Sequence, residues 1–259
     1  MKITLIQMDI CYGEPEKNFA RVERLIKQMV LAKDQLVILP EMWNTGYDLT
    51  RLSEIADENG RRTRTLLSKL AQDCEIYLLG GSVAVKQEKD YRNTCFLCGP
   101  SGEHLGRYDK VHLFRLMQEE QYLIAGDQGV TIQMGDFKVS PMICYDLRFP
   151  EWFRRQVSKT GTDLFVVPAQ WPIQRLAAWR KLLQARAIEN QSYVVGVNRA
   201  GEDPANRFAG HSLVIDPFGE ILLELGEQEE TGTIEIDPAR VAEARQAMPV
   251  FEDRRTELY

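Results

Sequence analysis

The stretch Val139–Pro150, with the sequence VSPMICYDLRFP, contains the residue on which the interpretation of this chain depends. Its apolar first half is typical of a β-strand, and the strand ends at the thiol of Cys144. A polar turn follows, and Pro150 with Glu151 suits the first turn of a helix. A nucleophile on such a turn points into open space near free N–H groups, which favour a thiolate. Because a lone cysteine after a strand is more often a small buried residue, further residues have to decide whether Cys144 is reactive.

Two other strand-like stretches end in charged residues of the right kind. The apolar run Leu36–Leu39 is followed by Pro40 and Glu41, and Lys110 follows a second, hairpin-like stretch. Glu41 is suited to accept the thiol proton and later to activate water. The Lys110 ammonium is suited to lower the pKa of the Cys144 thiol and to stabilise an oxyanion. Each residue alone is typical of a solvated surface, whereas together they predict a hydrolytic site.

This set resembles the Glu-Lys-Cys triad of the nitrilase superfamily of carbon–nitrogen hydrolases. The resemblance covers nearly the whole chain, because six segments occur in the family's order. They are LPE (39–41), GGS (80–82), YDKVHLF (108–114), CYDLRFP (144–150), ARAIEN (185–190) and GHS (210–212). The CYDLRF segment is similar to the omega-amidase branch. Nitrilases typically have Trp-Glu after the cysteine, and N-carbamoyl-amino-acid hydrolases usually have other residues there.

The resemblance implies an α/β fold of the nitrilase type, a four-layer α-β-β-α sandwich, and a cofactor-free amidase that acts through a cysteine thioester. It also implies a small linear amide that carries a carboxylate, such as 2-oxoglutaramate, as the substrate. The backbone N–H of Tyr145 is expected to bind the oxyanion together with Lys110. The alternatives are another amidase or an N-carbamoyl-amino-acid hydrolase of this superfamily, and a binding protein on the same fold that has lost activity.

A second glutamate of the family is expected in the loop after Lys110. By its spacing from Gly126, Glu119 matches that glutamate better than Glu120 does. Its expected role is to hold Lys110 charged and aimed and to orient the substrate. The alternative is an acidic surface loop.

Three more residues are expected to line the pocket. Arg148 is suited to bind a substrate carboxylate through two parallel hydrogen bonds. Its alternative is a structural ion pair with Asp146 or Glu189. Gln170 and Trp171 follow an apolar strand and are expected to form a pocket wall, with ordinary core packing as the alternative.

Strands and helices alternate along the chain, and the pattern repeats. The predicted strands are Ile3–Ile10, Leu36–Leu39, Ile76–Val83, Leu164–Pro168 and Tyr193–Val197, and the predicted helices include Arg61–Gln72, Glu151–Val157 and the apolar faces from Phe19 to Met29 and from Leu176 to Leu183. LVILPE (36–41) resembles LFVVPA (164–169), and IYLLGG (76–81) resembles YVVGVN (193–198). The repeat predicts two sheets packed face to face with helices outside both. Because no linker rich in Pro, Gly or Ser interrupts the chain, we predict one domain over residues 1–259.

Composition argues against several other classes of protein. The chain has 32 Lys and Arg against 38 Asp and Glu, a net charge of −6, which disfavours nucleic acid or an anionic membrane as the main partner. No apolar run reaches the roughly 18 residues that span a bilayer. The first strand begins at once, without a signal-peptide pattern. We therefore expect a cytoplasmic enzyme, and the family resemblance implies a homodimer.

The cysteines and histidines do not indicate a metal site or a disulfide framework. The chain has an odd number of cysteines, five, and only three histidines. Cys95 and Cys98 form the only closely spaced cysteine pair, which would suit a redox or zinc-binding protein. They lie in a predicted strand, where alternation places them on opposite faces. We therefore predict that this pair is structural and that the protein binds no metal.

Overall fold

The computed structural model describes residues 1–258. The strands are β1 Lys2–Gln7, β2 Leu36–Ile38, β3 Asp57–Glu58, β4 Tyr77–Leu79, β5 Val83–Gln87, β6 Asp90–Cys98, β7 His104–Asp109, β8 Ile132–Met134, β9 Phe137–Pro141, β10 Leu164–Ala169, β11 Tyr193–Asn198, β12 Leu213–Ile215, β13 Ile221–Glu224 and β14 Glu230–Glu235. The α-helices are α1 Pro15–Gln28, α2 Leu52–Ile55, α3 Arg61–Cys74, α4 Glu119–Tyr122, α5 Pro150–Thr160, α6 Leu176–Asn190 and α7 Ala239–Ala247. Short 3₁₀-helices cover Leu49–Arg51, Arg115–Met117, Cys144–Arg148 and Ile173–Arg175.

The strands form two sheets that share the same arrangement of three parallel strands followed by an antiparallel hairpin. The first sheet has the order β14-β1-β2-β4-β6-β5-β3, with β7 also paired to β6, and the second has the order β13-β12-β11-β10-β9-β8. Strands β1, β2 and β4 are parallel, and so are β9, β10 and β11. In each sheet an antiparallel hairpin follows the last of these three strands, β6–β7 in one and β12–β13 in the other. The repeat predicted from the sequence is therefore present in the topology.

Side chains of the first sheet alternate between two cores, as strand geometry requires. Ile38 and Leu97 lie in a core shared with Val166 of the second sheet. Val37 packs instead in a core with Leu67 of α3 and residues of α1. The same cluster of buried side chains continues through the second sheet to Phe153 of α5 and Trp179 of α6, which cover the other face of that sheet. The molecule is thus the predicted α-β-β-α sandwich.

Two predicted strands have different bounds in the structure. The strand predicted over Ile3–Ile10 ends at Gln7, where its ladder with β14 ends. The strand predicted over Ile76–Val83 is two strands, Tyr77–Leu79 and Val83–Gln87, separated by a turn. Apolar residues recur beyond the point where the strand ends, at Met8 and Ile10 in the first stretch and at Val83 in the second, so they did not reveal where strand pairing stops.

The turn between those two strands supports the segment that carries Glu41. Gly81 has a φ of 58°, and a Cβ atom at this position would lie 2.0 Å from the carbonyl oxygen of Pro40. Only glycine permits this backbone conformation and this close approach without strain. Ser82 then donates its N–H to the Pro40 carbonyl at 3.1 Å and accepts the N–H of Met42 at 3.0 Å. The glycine turn therefore fixes the backbone on both sides of Glu41.

The cysteine pair of β6 lies as the alternation predicts. Cys95 is in the core between the sheets, and Cys98 is in the core that faces α1 and α3. Within residues 1–258 no group of three or more His, Cys, Asp and Glu side chains is placed to hold a metal ion. None of the helices in the described part of the chain is both long and apolar enough to cross a membrane.

Candidate active site

Four polar residues meet where strands of the two sheets end. Glu41 comes shortly after β2, Lys110 directly after β7, Cys144 shortly after β9 and Gln170 directly after β10. Gln170 donates its backbone N–H to Glu41 Oε2 at 2.9 Å, which joins the two sheets at this point. Carboxyl ends of parallel strands are where open α/β sheets bind ligands. The fold therefore gathers residues that lie far apart in the sequence.

Cys144 occupies a strained turn. Its φ is 45°, a left-handed conformation that non-glycine residues rarely adopt, and it is the first residue of a 3₁₀-helix. The carboxylate of Asp146 accepts the N–H of Ile143 at 2.9 Å and the hydroxyl proton of Tyr108 at 2.6 Å. It also accepts the N–H of His112 at 3.0 Å. Asp146 therefore anchors the turn from within and holds the nucleophile in its unusual conformation.

Lys110 lies at the centre of the site. Its Nζ atom is 2.8 Å from Glu41 Oε1, 2.8 Å from Glu119 Oε1 and 3.3 Å from the hydroxyl of Tyr47. The side chains of Lys110, Glu41 and Glu119 are all fully buried. An ammonium group has three protons to donate, so these contacts use all of them. The lysine is thus held in one position by two carboxylates and a phenol.

The structure distinguishes between the two adjacent glutamates of the loop. Glu119 is buried, begins α4, and accepts the N–H of Phe114 with its Oε2 atom at 2.6 Å. Glu120 is exposed to solvent. Glu119 therefore contacts Lys110, as its spacing predicted, and the alternative of an acidic surface loop is wrong for this residue.

Glu41 is oriented by donors on both of its oxygens. Besides Lys110, its Oε1 atom accepts the hydroxyl proton of Tyr47 at 2.7 Å and the side-chain amide of Asn93 at 2.9 Å. The negative charge of the carboxylate also acts on the thiol of Cys144 and raises its pKa. Gln170 holds the same segment, because its side-chain amide donates to the Glu41 carbonyl oxygen at 2.8 Å. These donors therefore fix the orientation of the carboxylate.

The pKa of Cys144 differs from the sequence-based expectation. Burial raises the pKa of the thiol well above its ordinary value, and the charge of Glu41 raises it further. Lys110 lowers it, as predicted, but by less than these two effects raise it. Cys144 is only 6% exposed, so the prediction of an open, readily ionised thiol is wrong. The resting thiol of Cys144 is therefore neutral.

The pKa values of Lys110 and Glu119 are shifted by burial and by the charges that these two residues exert on each other. Burial alone would lower the pKa of Lys110, but the charges of Glu119 and Glu41 raise it above its ordinary value. Burial raises the pKa of Glu119, and the attraction of Lys110 offsets this only in part. Lys110 is therefore a permanent cation, and its charge faces whatever forms beside Cys144.

A small cavity lies in front of the thiol. Its lining residues are Phe114, Cys144, Tyr145, Arg148, Gln170, Trp171, Pro172 and Arg175. Its volume is about 20 Å³, room for roughly one water molecule. The structure thus brings Tyr145, Arg148, Gln170 and Trp171 to the same cavity as Cys144, and a substrate has to widen it.

The alternative of a structural ion pair for Arg148 is not realised. Asp146 is occupied by the turn, and Glu189 pairs with Arg186 at 2.9 Å. The guanidinium of Arg148 lies instead 5.0 Å from the ring centroid of Trp171. Arg148 is exposed, so its charge is available at the mouth of the cavity.

Tyr47, Asn93 and Arg175 were not predicted from the sequence. Tyr47 lies in an irregular turn after Glu41, where no periodicity marks it. Asn93 could have been found from a predicted hairpin, because the antiparallel pairing of β6 with β7 places it beside Lys110. Arg175 reaches the cavity from the 3₁₀ turn before α6, a position that depends on how the chain closes after β10.

An α-β-β-α sandwich with a cysteine, a glutamate and a lysine at the ends of its strands defines a cysteine-dependent hydrolase of carbon–nitrogen bonds. The family model described as "Carbon-nitrogen hydrolase" matches residues 2–246. The chain therefore belongs to the carbon–nitrogen hydrolase family and is an enzyme of this class.

Similar proteins indicate which branch of the family this chain resembles. The 2-oxoglutaramate amidase of Bacillus subtilis (strain 168) is 44% identical over 257 residues, 99% of this chain and 98% of the relative. The human omega-amidase NIT2 is 34% identical over 267 residues, with 100% and 96% covered. Among solved structures, XC1258 from Xanthomonas campestris has a TM-score of 0.91 at 32% identity, with 98% and 97% covered; it is a CN-hydrolase superfamily protein with an arsenic adduct in its active site. The predicted similarity to the omega-amidase branch is confirmed.

Proposed function

We propose that this enzyme hydrolyses the terminal amide of a small linear acid, of the 2-oxoglutaramate type, to the corresponding acid and ammonia. The observation that carries the proposal is one cavity with Cys144 at its base and, at its mouth, the guanidinium of Arg148, which has no anionic partner among residues 1–258. A substrate that reaches both has an amide at one end and a carboxylate at the other. The 2-oxoglutaramate amidase and the omega-amidase among the relatives support the same substrate class.

The first half-reaction forms a thioester. The Cys144 sulfur attacks the amide carbon while the thiol proton passes to Glu41. Because the resting thiol is neutral, proton transfer accompanies attack rather than preceding it. The carbonyl oxygen becomes an oxyanion, which Lys110 and the backbone N–H of Tyr145 bind. Glu41 then returns the proton to the amide nitrogen, the carbon–nitrogen bond breaks, and ammonia leaves.

Lys110 needs a free proton to bind that oxyanion. All three of its protons already have acceptors, and the longest contact is the one to Tyr47 at 3.3 Å. That bond is the weakest of the three, so we expect the oxyanion to replace Tyr47 as the third acceptor. The two carboxylates keep the ammonium aimed during the exchange. This is the role we assign to Glu119.

The second half-reaction hydrolyses the thioester. Glu41 takes a proton from a water molecule, the resulting hydroxide attacks the thioester carbon, and the same donors bind the second oxyanion. Collapse breaks the carbon–sulfur bond, Glu41 gives the proton back to the sulfur of Cys144, and the acid leaves. One carboxylate thus transfers protons in both directions, and the cycle needs no metal or cofactor.

The test is ammonia release from a panel of amides of equal length, with an N-carbamoyl acid and a nitrile included. Arg148 can donate charge-assisted hydrogen bonds to the carboxylate of the acid but not to a neutral amide, so the acid should be favoured by at least about tenfold. Arg148→Ala should reduce kcat/KM for the acid far more than for the neutral amide. Cys144→Ala serves as the inactive control. Equal rates with the acid and the neutral amide in the wild type would contradict the proposed substrate class.

We further propose that the enzyme is a cytoplasmic homodimer. All five cysteines are free thiols, which suits a reducing compartment. Phe218, Ile221, Leu222 and Ile188 are exposed apolar residues near the β12–β13 turn, and such a cluster favours association of two copies. Sedimentation of the purified protein at twice the mass of one chain is expected, and a single-chain mass would contradict the dimer.

A further inference from the structure

The mouth of the catalytic cavity carries two cations. Arg148 lies with its guanidinium carbon 5.0 Å from the ring centroid of Trp171, and Arg175 lies 5.6 Å from that of Phe114. Both distances are within cation–π range. All four side chains line the cavity that ends at Cys144. Each cation therefore rests on an aromatic part of the cavity wall.

Neither of these cations has an anionic partner in the part of the chain that the structure describes. Other arginines of the same region do: Arg180 pairs with Glu224 at 2.6 Å, and Arg186 pairs with Glu189 at 2.9 Å. Two guanidiniums beside one cavity repel each other unless an anion lies between them. Their placement is unfavourable for the empty protein and favourable for one that holds an anionic ligand.

The backbone of Arg175 is held by hydrogen bonds, whereas its long side chain can adopt several orientations. Its carbonyl oxygen accepts the indole N–H of Trp171 at 2.9 Å, and its N–H donates to Pro172 at 3.0 Å. The wall residue Trp171 thus sets where the side chain of Arg175 begins. A guanidinium on a long stem can leave an aromatic face and still reach the same cavity, which has to widen to admit more than a water molecule.

We propose that Arg175 is a second carboxylate-binding residue, which acts with Arg148 to hold the remote carboxylate of the substrate and to select acids over neutral amides. This inference rests on the proposed function, because it places the acid end of that substrate between the two arginines. A carboxylate has two oxygens and about four acceptor positions, enough for donors from two guanidiniums. The amide end then points inward to Cys144.

The experiment compares Arg175→Gln and Arg175→Lys with Lys181→Gln, a matched loss of charge at an exposed position of α6. Steady-state kinetics are measured with 2-oxoglutaramate and with a neutral amide of equal length. Arg175→Gln should raise KM and lower kcat/KM for the acid by about tenfold or more, with a much smaller effect on the neutral amide. Arg175→Lys should recover part of the loss, and Lys181→Gln should behave as wild type. Glutarate should inhibit the wild type competitively and Arg175→Gln at least about tenfold more weakly.

The outcomes separate the two proposals. If the wild type prefers the acid and Arg148→Ala removes that preference, but Arg175→Gln matches Lys181→Gln, only the role of Arg175 is wrong. If Arg175→Gln slows the acid and the neutral amide equally, Arg175 is structural and the inference fails. If the wild type shows no preference, both the substrate class and the role of Arg175 are overturned. A thermal midpoint for Arg175→Gln equal to that of the wild type shows that any kinetic loss is not a loss of folding.

Discussion

Lys110→Met is the substitution that most directly separates the structural role of the buried ion cluster from its catalytic role. Methionine keeps most of the length of the side chain and removes the charge. Glu41 and Glu119 would then face each other as two buried carboxylates without the cation that lies 2.8 Å from both. Removing one partner of a buried ion pair costs roughly 3–5 kcal/mol of stability. For a chain of this size that corresponds to a fall in Tm of roughly 6–20 °C.

The catalytic loss has a separate origin. In the proposed mechanism Lys110 offsets the oxyanion in both half-reactions, and removal of one such donor costs roughly 3–4 kcal/mol, about a hundred- to a thousandfold in kcat. A second substitution tells the two effects apart. In the double variant Lys110→Met, Glu119→Gln, one buried carboxylate remains instead of two. Much of the lost stability should return, whereas turnover should stay as low as in the single variant.

Two measurements are made on the wild type, Lys110→Met, Glu119→Gln and the double variant: the thermal midpoint of unfolding and, on separate native samples, the rate of ammonia release. The reasoning is refuted if Lys110→Met keeps the wild-type midpoint, because the cluster would then carry no such energy. It is also refuted if that variant retains more than about a tenth of wild-type turnover, since one oxyanion donor is worth far more than that. Recovery of turnover in the double variant would mean that the lysine acts only through stability.

Two other predictions concern residues around the site. Tyr47→Phe removes the hydroxyl that donates to Glu41 and contacts Glu119, and so loosens the two carboxylates that hold Lys110. It should lower kcat by about tenfold to a hundredfold while KM stays within a few-fold. A normal kcat and an unchanged pH profile would show that the hydroxyl is dispensable. The double change Cys95→Ala, Cys98→Ala should leave kcat within a few-fold, and chelators should have no effect; loss of activity on chelation would revive a metal role.

The site residues that could be predicted from the sequence are those that lie at the ends of predicted strands. Glu41, Lys110 and Cys144 each follow a stretch that pattern alone identifies, and the topology brings these ends together. The repeated halves predicted two facing sheets, since each half buries one apolar face that needs another layer. Glu119 was distinguished from Glu120 by its spacing to a glycine, and burial of only one of the two agrees with that choice.

Other features depend on quantities that a sequence does not contain. The pKa of Cys144 depends on three opposing effects, namely burial, the charge of Glu41 and the charge of Lys110. Burial is the largest of them, and the extent of burial cannot be read from the sequence. Tyr47 and Arg175 have no periodic or motif signal, and they reach the site through irregular turns. Cys144 was expected to point into open space, whereas it faces a cavity of only about 20 Å³, whose size depends on how the surrounding loops pack.

The buried neutral thiol of Cys144 also determines how the enzyme responds to reagents other than its substrate. Peroxides and simple alkylating agents react with thiolates, and at neutral pH the resting site contains almost none. Their attack also requires access to a sulfur that is only 6% exposed. In the proposed mechanism an electrophile shaped like an amide acid differs in both respects, because it widens the cavity and Glu41 takes up the thiol proton. Burial and the raised pKa therefore slow oxidation of the resting sulfur, and in the proposed mechanism the thiol loses its proton only as the substrate acylates it.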